Sequence, residues 1–316
     1  MARIATARAT DMDTKDLGFV LMHEHIFSGV QQTMIMNWPH TFDRLKEVGE
    51  IVEEFRDLKA AGVDSIVDLT TVDLNRDAGM LKEVALRTEI NVIVATGVHM
   101  NPPGYFRRPT PEPIVELYVR DITVGVADTG VRAGILKIAT EEVNDEKELQ
   151  LRAVAMAHRQ TGVPISTHTN AFKKVGLDQQ RVFKAEGVDL SRVIIGHSGD
   201  STDLGYLSEL MEAGSCIGMD RFGARIPATT HEERCDTVAE LCRRGFADRM
   251  VLSHDAWSFS FRNSRATMKA RLPEFNFFHV PLRVLPALRE RGVTEEQIHA
   301  MTTGNPRRLF EAQGAY

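Results

Sequence analysis

Cysteine is scarce here and forms no pattern. Cys216, Cys235 and Cys242 are the three in the chain, with no C-x-x-C pair among them, and they read as reduced packing residues. Long hydrophobic runs are also missing: none approaches the roughly 18 residues that a bilayer-spanning helix needs. The opening Met1-Ala2-Arg3-Ile4-Ala5-Thr6 lacks the apolar core of a signal peptide, so residence in the cytoplasm, away from any membrane, is expected. Excess of one charge is absent as well. The net charge is −6, with acidic and basic residues mixed along the sequence, which leaves no basic footprint for nucleic acid and no polybasic membrane patch.

What remains is a soluble composition, 43% hydrophobic and 26% charged over 316 residues, of a size that suits one α/β barrel or two smaller domains. The order of its elements favours the first. Helical periodicity over Asp43–Ala60 stops at Gly62, and Ser65–Leu69 follows as an apolar strand. The same unit recurs. Helices over about 77–88, 114–128, 146–161, 178–186, 202–213 and 231–244 lead to strands at Val92–Gly97, Gly134–Ile138, Val163–His168, Arg192–His197, Cys216–Asp220 and Arg249–Asp255. Val280–Glu290 and Thr294–Thr303 read as closing helices, and Phe27–Thr41 as a loop. With Gly18–Met22 as the first, this makes eight short strands, and no Pro-, Gly- or Ser-rich linker divides them. The pattern predicts a single (β/α)₈ barrel domain over residues 1–316. An open doubly wound sheet is the alternative, and the lack of a Gly-rich phosphate turn after the first strand counts against it.

The chemistry lies at the strand ends, where such barrels build their active sites. Leu21-Met22-His23-Glu24-His25 closes the first strand, and its period of two puts His23 and His25 on one face and Glu24 on the other. Hydrogen-bonded core histidines would account for such a pair alone. The other strand ends, however, add Lys137, His168, His197 and Asp255. Buried imidazoles and carboxylates converging in this way call for a divalent metal. Lys137 fits in one of two ways. Carboxylation by carbon dioxide would make it an anionic ligand able to bridge two metals; otherwise it is a Schiff-base nucleophile. Four histidines and an aspartate favour the carbamate.

These stretches resemble the phosphotriesterase family of the amidohydrolase superfamily, and within it the phosphotriesterase-like lactonases. The matching motifs are Leu21–His25, Gly134-Ile135-Leu136-Lys137-Ile138-Ala139-Thr140, Gly162–Thr169, Ile195-Gly196-His197-Ser198-Gly199-Asp200 and Leu252-Ser253-His254-Asp255. The likeness runs from about residue 17 to Phe310. It implies two divalent ions, zinc first, with cobalt, iron or manganese as alternatives. His23, His25 and Asp255 would hold the buried ion, and His168 and His197 the exposed one. Carboxylated Lys137 and a hydroxide would bridge them, with Asp255 accepting the proton of the attacking hydroxide. A homodimer acting on a small-molecule substrate is the expected assembly.

Two features point to lactones. Arg221, in Asp220-Arg221-Phe222-Gly223, stands where the family's phosphotriesterases carry a histidine, and the segment Gly223–Thr230 is short where they have a long insertion. The expected activity is therefore the opening of N-acyl-homoserine or aliphatic lactones, with promiscuous phosphotriesterase activity. An organophosphate phosphotriesterase (aryldialkylphosphatase) is the runner-up, and a Schiff-base lyase using Lys137 is more remote. Two departures from the lactonases bear on the substrate. His99 replaces their usual tyrosine, as a substrate contact or a solvent-facing loop residue. The aromatic loop 256–279 could form an acyl-chain pocket, a packed lid or part of a dimer interface.

Overall fold

The short apolar runs become parallel strands because they are covered on both faces. The computed structural model describes residues 2–29, 32–225, 229–261, 264–311 and 314–316. A small antiparallel hairpin, β1 (Arg3–Ala5) with β2 (Asp11–Asp13), precedes the barrel. The barrel strands are β3 (Val20–Ser28), β4 (Ser65–Asp68), β5 (Asn91–Val98), β6 (Ile135–Thr140), β7 (Ile165–Thr169), β8 (Val193–Ile195), β9 (Cys216–Met219) and β10 (Met250–Leu252). They pair in sequence order, and β11 (Trp257–Ser260) adds to β3 from the other side. Two backbone bonds close the ring: Asp255 N–H donates to the His23 carbonyl at 3.0 Å and His25 N–H to the Ala256 carbonyl at 2.8 Å. This is the (β/α)₈ architecture the element order predicts.

Side chains at the helix starts explain where the helices begin. Asp43, Asp77, Asn144 and Asp203 each accept a backbone N–H of the first turn, and Thr230 and Glu233 form a reciprocal capping box. The core has two layers. Outward strand residues such as Leu21, Ile66, Val92, Leu136 and Ile165 pack on the helices, while Val20, Met22, Val67, Ile93, Ile135, Ile194 and Val251 fill the interior. Ile4, Leu17, Leu309 and Phe310 join this inner cluster.

Some boundaries move. The Phe27–Thr41 loop is shorter than expected, because pairing of Phe27 and Ser28 with β11 carries β3 to Ser28. A short helix, Gln32–Asn37, and a tight turn, Pro39–Thr41, follow; Val30 and Gln31 lie outside the described residues, as do 226–228 of the segment Gly223–Thr230. The expected strand Arg249–Asp255 stops at Leu252 and resumes as β11. At the other end, Glu295–His299 passes through a wide turn into a further helix, Asn305–Glu311. Among the described residues, no helix is long and apolar enough to cross a membrane.

Candidate metal centre

Strand alternation alone would put His23 on the same side as Leu21, facing the helices. A register shift between Leu21 and Glu24 turns it instead, so that Met22 and then His23 and His25 face inward, as a bulge permits. Only the barrel interior lets β3 meet β6 and the end of β9. There His23 Nε2 lies 2.9 Å from Lys137 Nζ, and His23 Nδ1 lies 2.7 Å from Asp220 Oδ2. His25 Nε2 is 3.1 Å and His23 Nε2 3.5 Å from Asp255 Oδ1. His168 Nδ1 and His197 Nε2 face each other at 2.9 Å, and His197 Nε2 is 3.7 Å from Asp255 Oδ2. All six residues named from the strand ends therefore meet at one place.

Backbone geometry contributes to this convergence. His197 and Asp255 adopt left-handed conformations, φ 60° and 57°, uncommon away from glycine and often found at working sites. Each lies two or three residues past a short strand, β8 ending at Ile195 and β10 at Leu252, where the chain turns sharply and aims the side chain across the mouth. For Asp255 the turn is held by Glu24. Its buried carboxylate accepts from Ser253 Oγ at 2.7 Å, His254 N–H at 3.0 Å, His254 Nδ1 at 2.5 Å and Ala256 N–H at 3.0 Å.

The outer hydrogen bonds show which atoms are left to bind a cation. Asp220 lies against Nδ1 of both His23 and His197, the latter at 3.0 Å. Glu141 Oε1 lies 2.8 Å from His168 Nε2. Each of these nitrogens, carrying the ring proton, donates to a carboxylate, so Nε2 of His197 and Nδ1 of His168 face each other as two lone pairs, an arrangement that a shared cation would satisfy. The spacing of the His23, His25 and Asp255 donors also suits a cation, since a tetrahedral ion with bonds of about 2.0–2.1 Å separates its ligand atoms by about 3.3 Å. His23, His197 and Asp220 are equally close together, but Asp220 faces their outer nitrogens and so orients them. The residues fit a binuclear site.

Burial pushes the Lys137 amine down to about 8, although Asp255 and Asp220 pull the other way. That lowering favours the free amine, the form that can take up carbon dioxide. Burial alone would raise the Asp255 carboxyl, but His197, His23, His25 and Arg221 outweigh it and hold the group well below the usual range. Arg221 Nε donates to Asp255 Oδ2 at 3.0 Å and Nη1 to Asp200 Oδ2 at 2.8 Å. Those two carboxylates overcome the effect of burial and raise the guanidinium. It is permanently charged.

His99 is half-buried at the site, its ring edge-on to His168 at 5.1 Å. Asp73 fixes it by accepting the His99 N–H at 2.7 Å, and Lys147 Nζ donates to its carbonyl at 3.2 Å. Burial, then the neighbouring His168 and Lys137, push its pKa down to about 2. The solvent-facing reading is thereby corrected. In the aromatic loop, Phe277 is buried against Phe55, while Trp257, Met268, Leu272, Phe275 and Phe278 line a cavity of about 370 Å³ beside Glu54. Trp257 is the register partner of His25. Packing and an open pocket coexist in this loop.

Several participants escaped the sequence reading: Asp220, Thr70, which lies 2.9 Å from His25 Nδ1, Asp200, Glu141 and Glu24. Asp220 and Glu141 were within reach of the strand-end rule, since each is an acidic residue just beyond a strand.

The sequence model of the phosphotriesterase family matches residues 2–310. A phosphotriesterase homology protein of Mycobacterium tuberculosis is 48% identical over 329 residues, covering 100% of both chains. An aryldialkylphosphatase of Saccharolobus solfataricus is 33% identical over 316 residues, covering 98% of this chain and 99% of its own. Among solved structures, that of the phosphotriesterase from Mycobacterium tuberculosis superposes with a TM-score of 0.94 at 47% identity, covering 99% of this chain and 100% of the other.

Proposed function

This chain belongs to the phosphotriesterase family and is a metal-dependent hydrolase, and from that premise we propose that it opens lactones, N-acyl-homoserine or simple aliphatic ones, with a weaker promiscuous action on phosphotriesters. The observation that carries this reading is Arg221. It stands where the phosphotriesterases of the family carry a histidine, and it binds Asp255 and Asp200 at once.

His23, His25 and Asp255 would hold a buried ion, His168 and His197 an outer one, with carboxylated Lys137 shared between them. Two such ions supply a nucleophile at neutral pH and polarise the bond under attack. The chain's own part is proton movement and orientation. Asp255 takes a proton at Oδ2, the oxygen that Arg221 Nε holds. Once it has taken up the nucleophile's proton, the same carboxyl is a general acid placed to return it. Ring opening of a lactone needs that return, since it releases an alkoxide far more basic than the aryl oxide freed from an aryl phosphotriester. His99, held neutral, offers one donor to the developing oxyanion. The cavity walled by Trp257, Phe275 and Phe278 would take an acyl chain.

A Schiff-base role for Lys137 is disfavoured by its place. The side chain has no solvent exposure and lies behind the histidines, within 2.9 Å of His23. The test is metal analysis joined to a panel of lactones and organophosphates. Chelator-stripped protein should lose all activity and regain it with two zinc ions per chain. Full lactonase activity without metal would sink the proposal.

A further inference from the structure

Four histidines converge on the centre, and each has its outer nitrogen occupied. Three of those contacts are sealed: Asp220, which serves His23 and His197, and Thr70, which serves His25, are each 1% exposed. The fourth is different. Glu141, in the turn just past β6, reaches His168 Nε2 at 2.8 Å with a side chain 44% exposed, and its other oxygen accepts from Asn170 Nδ2 at 2.6 Å. Lys137 on β6 and Glu141 in the turn that follows it are four residues apart, so one strand and its exit supply both a proposed bridge and this outer partner.

His168 also differs in which nitrogen it turns inward. Its Nδ1 faces His197 Nε2, whereas His23, His25 and His197 present Nε2. Presenting Nδ1 leaves Nε2–H on the outside, where an acceptor fixes the tautomer and the ring orientation. Glu141 supplies that acceptor, and Asn170 fixes the angle of the carboxylate. Without Glu141, Nε2 would lie beside solvent and the ring would be free to change tautomer or flip, which would turn its lone pair away from the outer ion.

We propose that Glu141 is the positioning residue for the outer metal, holding His168 in the Nδ1-ligand form and so setting the occupancy of that ion independently of the buried one. This rests on the binuclear reading above. A merely structural role would weaken both ions together; a positioning role weakens one.

The experiment is a buffered zinc titration of the full chain, following bound zinc per chain as free zinc is lowered. Wild type should hold two. Glu141→Ala should keep the first zinc at wild-type affinity and release the second at about 10–100-fold higher free zinc, the usual effect of losing such a partner. Glu141→Gln should fall between them, because its amide carbonyl still accepts from Nε2–H but no longer serves Asn170 as well. Glu142→Ala removes a neighbouring exposed charge without touching His168 and should titrate as wild type. Retention of the first zinc shows in the same sample that the barrel is intact. Glu141→Ala titrating as wild type would overturn the proposal, and so would equal loss of both zincs or the same shift in Glu142→Ala. A wild-type chain that takes up one zinc or none would overturn the binuclear reading, and this inference with it.

Discussion

Lys137 has no exposed surface, and its amine rests between His23 Nε2 at 2.9 Å and the Thr167 carbonyl at 3.4 Å. A bare ammonium there would repel two divalent ions, whereas a carbamate would join them. Lys137→Ala should therefore lose metal and activity together, and an added short carboxylic acid should partly restore turnover. A mutant retaining two metals and full activity would rule out the bridge. Asp255→Asn should lower kcat by several orders of magnitude while leaving KM within a small factor, because the acceptor oxygen beside Arg221 becomes an amide. A near-normal kcat would send the proton elsewhere. A neutral His99 would offer the oxyanion one N–H, whereas the tyrosine hydroxyl implied for the lactonases is a more acidic and so stronger donor and should serve it better. His99→Tyr is expected to raise kcat/KM for lactones by up to roughly tenfold, about 1.4 kcal/mol; an unchanged or lower value would remove His99 from the oxyanion's surroundings.

Strand ends carried the legible part of the site. Short apolar runs ending in His23, His25, Lys137, His168, His197 and Asp255 could be recognised one by one, because each closes an apolar run with a residue type that apolar packing does not explain. The register shift before Glu24 and the left-handed turns at His197 and Asp255 could not, since they depend on bonds between distant segments. Glu24 shows why. In sequence it is the residue between His23 and His25; in the barrel it gathers the segment 253–256 and so breaks the eighth strand where Asp255 must turn. Glu24→Gln keeps the volume but puts an NH₂ where a carboxylate oxygen accepted. We expect a loss of about 3 kcal/mol, the scale of a broken buried charged network, with weaker zinc binding in the same protein. Denaturant unfolding and zinc content together check this, and wild-type values for both would contradict it.

At the scale of the whole molecule, the repeated units made the barrel readable, whereas the N-terminal hairpin and the helix Asn305–Glu311 lie at the chain ends, outside the repeat. The buried histidines add a property that belongs to the fold as a whole. Burial, then Lys137, lowers His23 to about 4; burial, then His168, lowers His99 to about 2; burial also lowers His168 and His197. Each binds its proton near pH 6.5 when unfolded and only at lower pH when folded. The unfolded chain thus holds more protons in between, and stability falls as pH drops from about 6.5 toward 4. The melting temperature of the metal-free protein should fall by several degrees across that window; a flat profile would mean these histidines are protonated in the fold. The central claim concerns substrate, and its most direct test is kcat/KM for a series of N-acyl-homoserine and aliphatic lactones against a diethyl aryl phosphate, on one zinc-loaded preparation. The best lactone should give the higher value. A higher value for the phosphotriester would contradict the lactonase assignment and make the organophosphate the primary substrate.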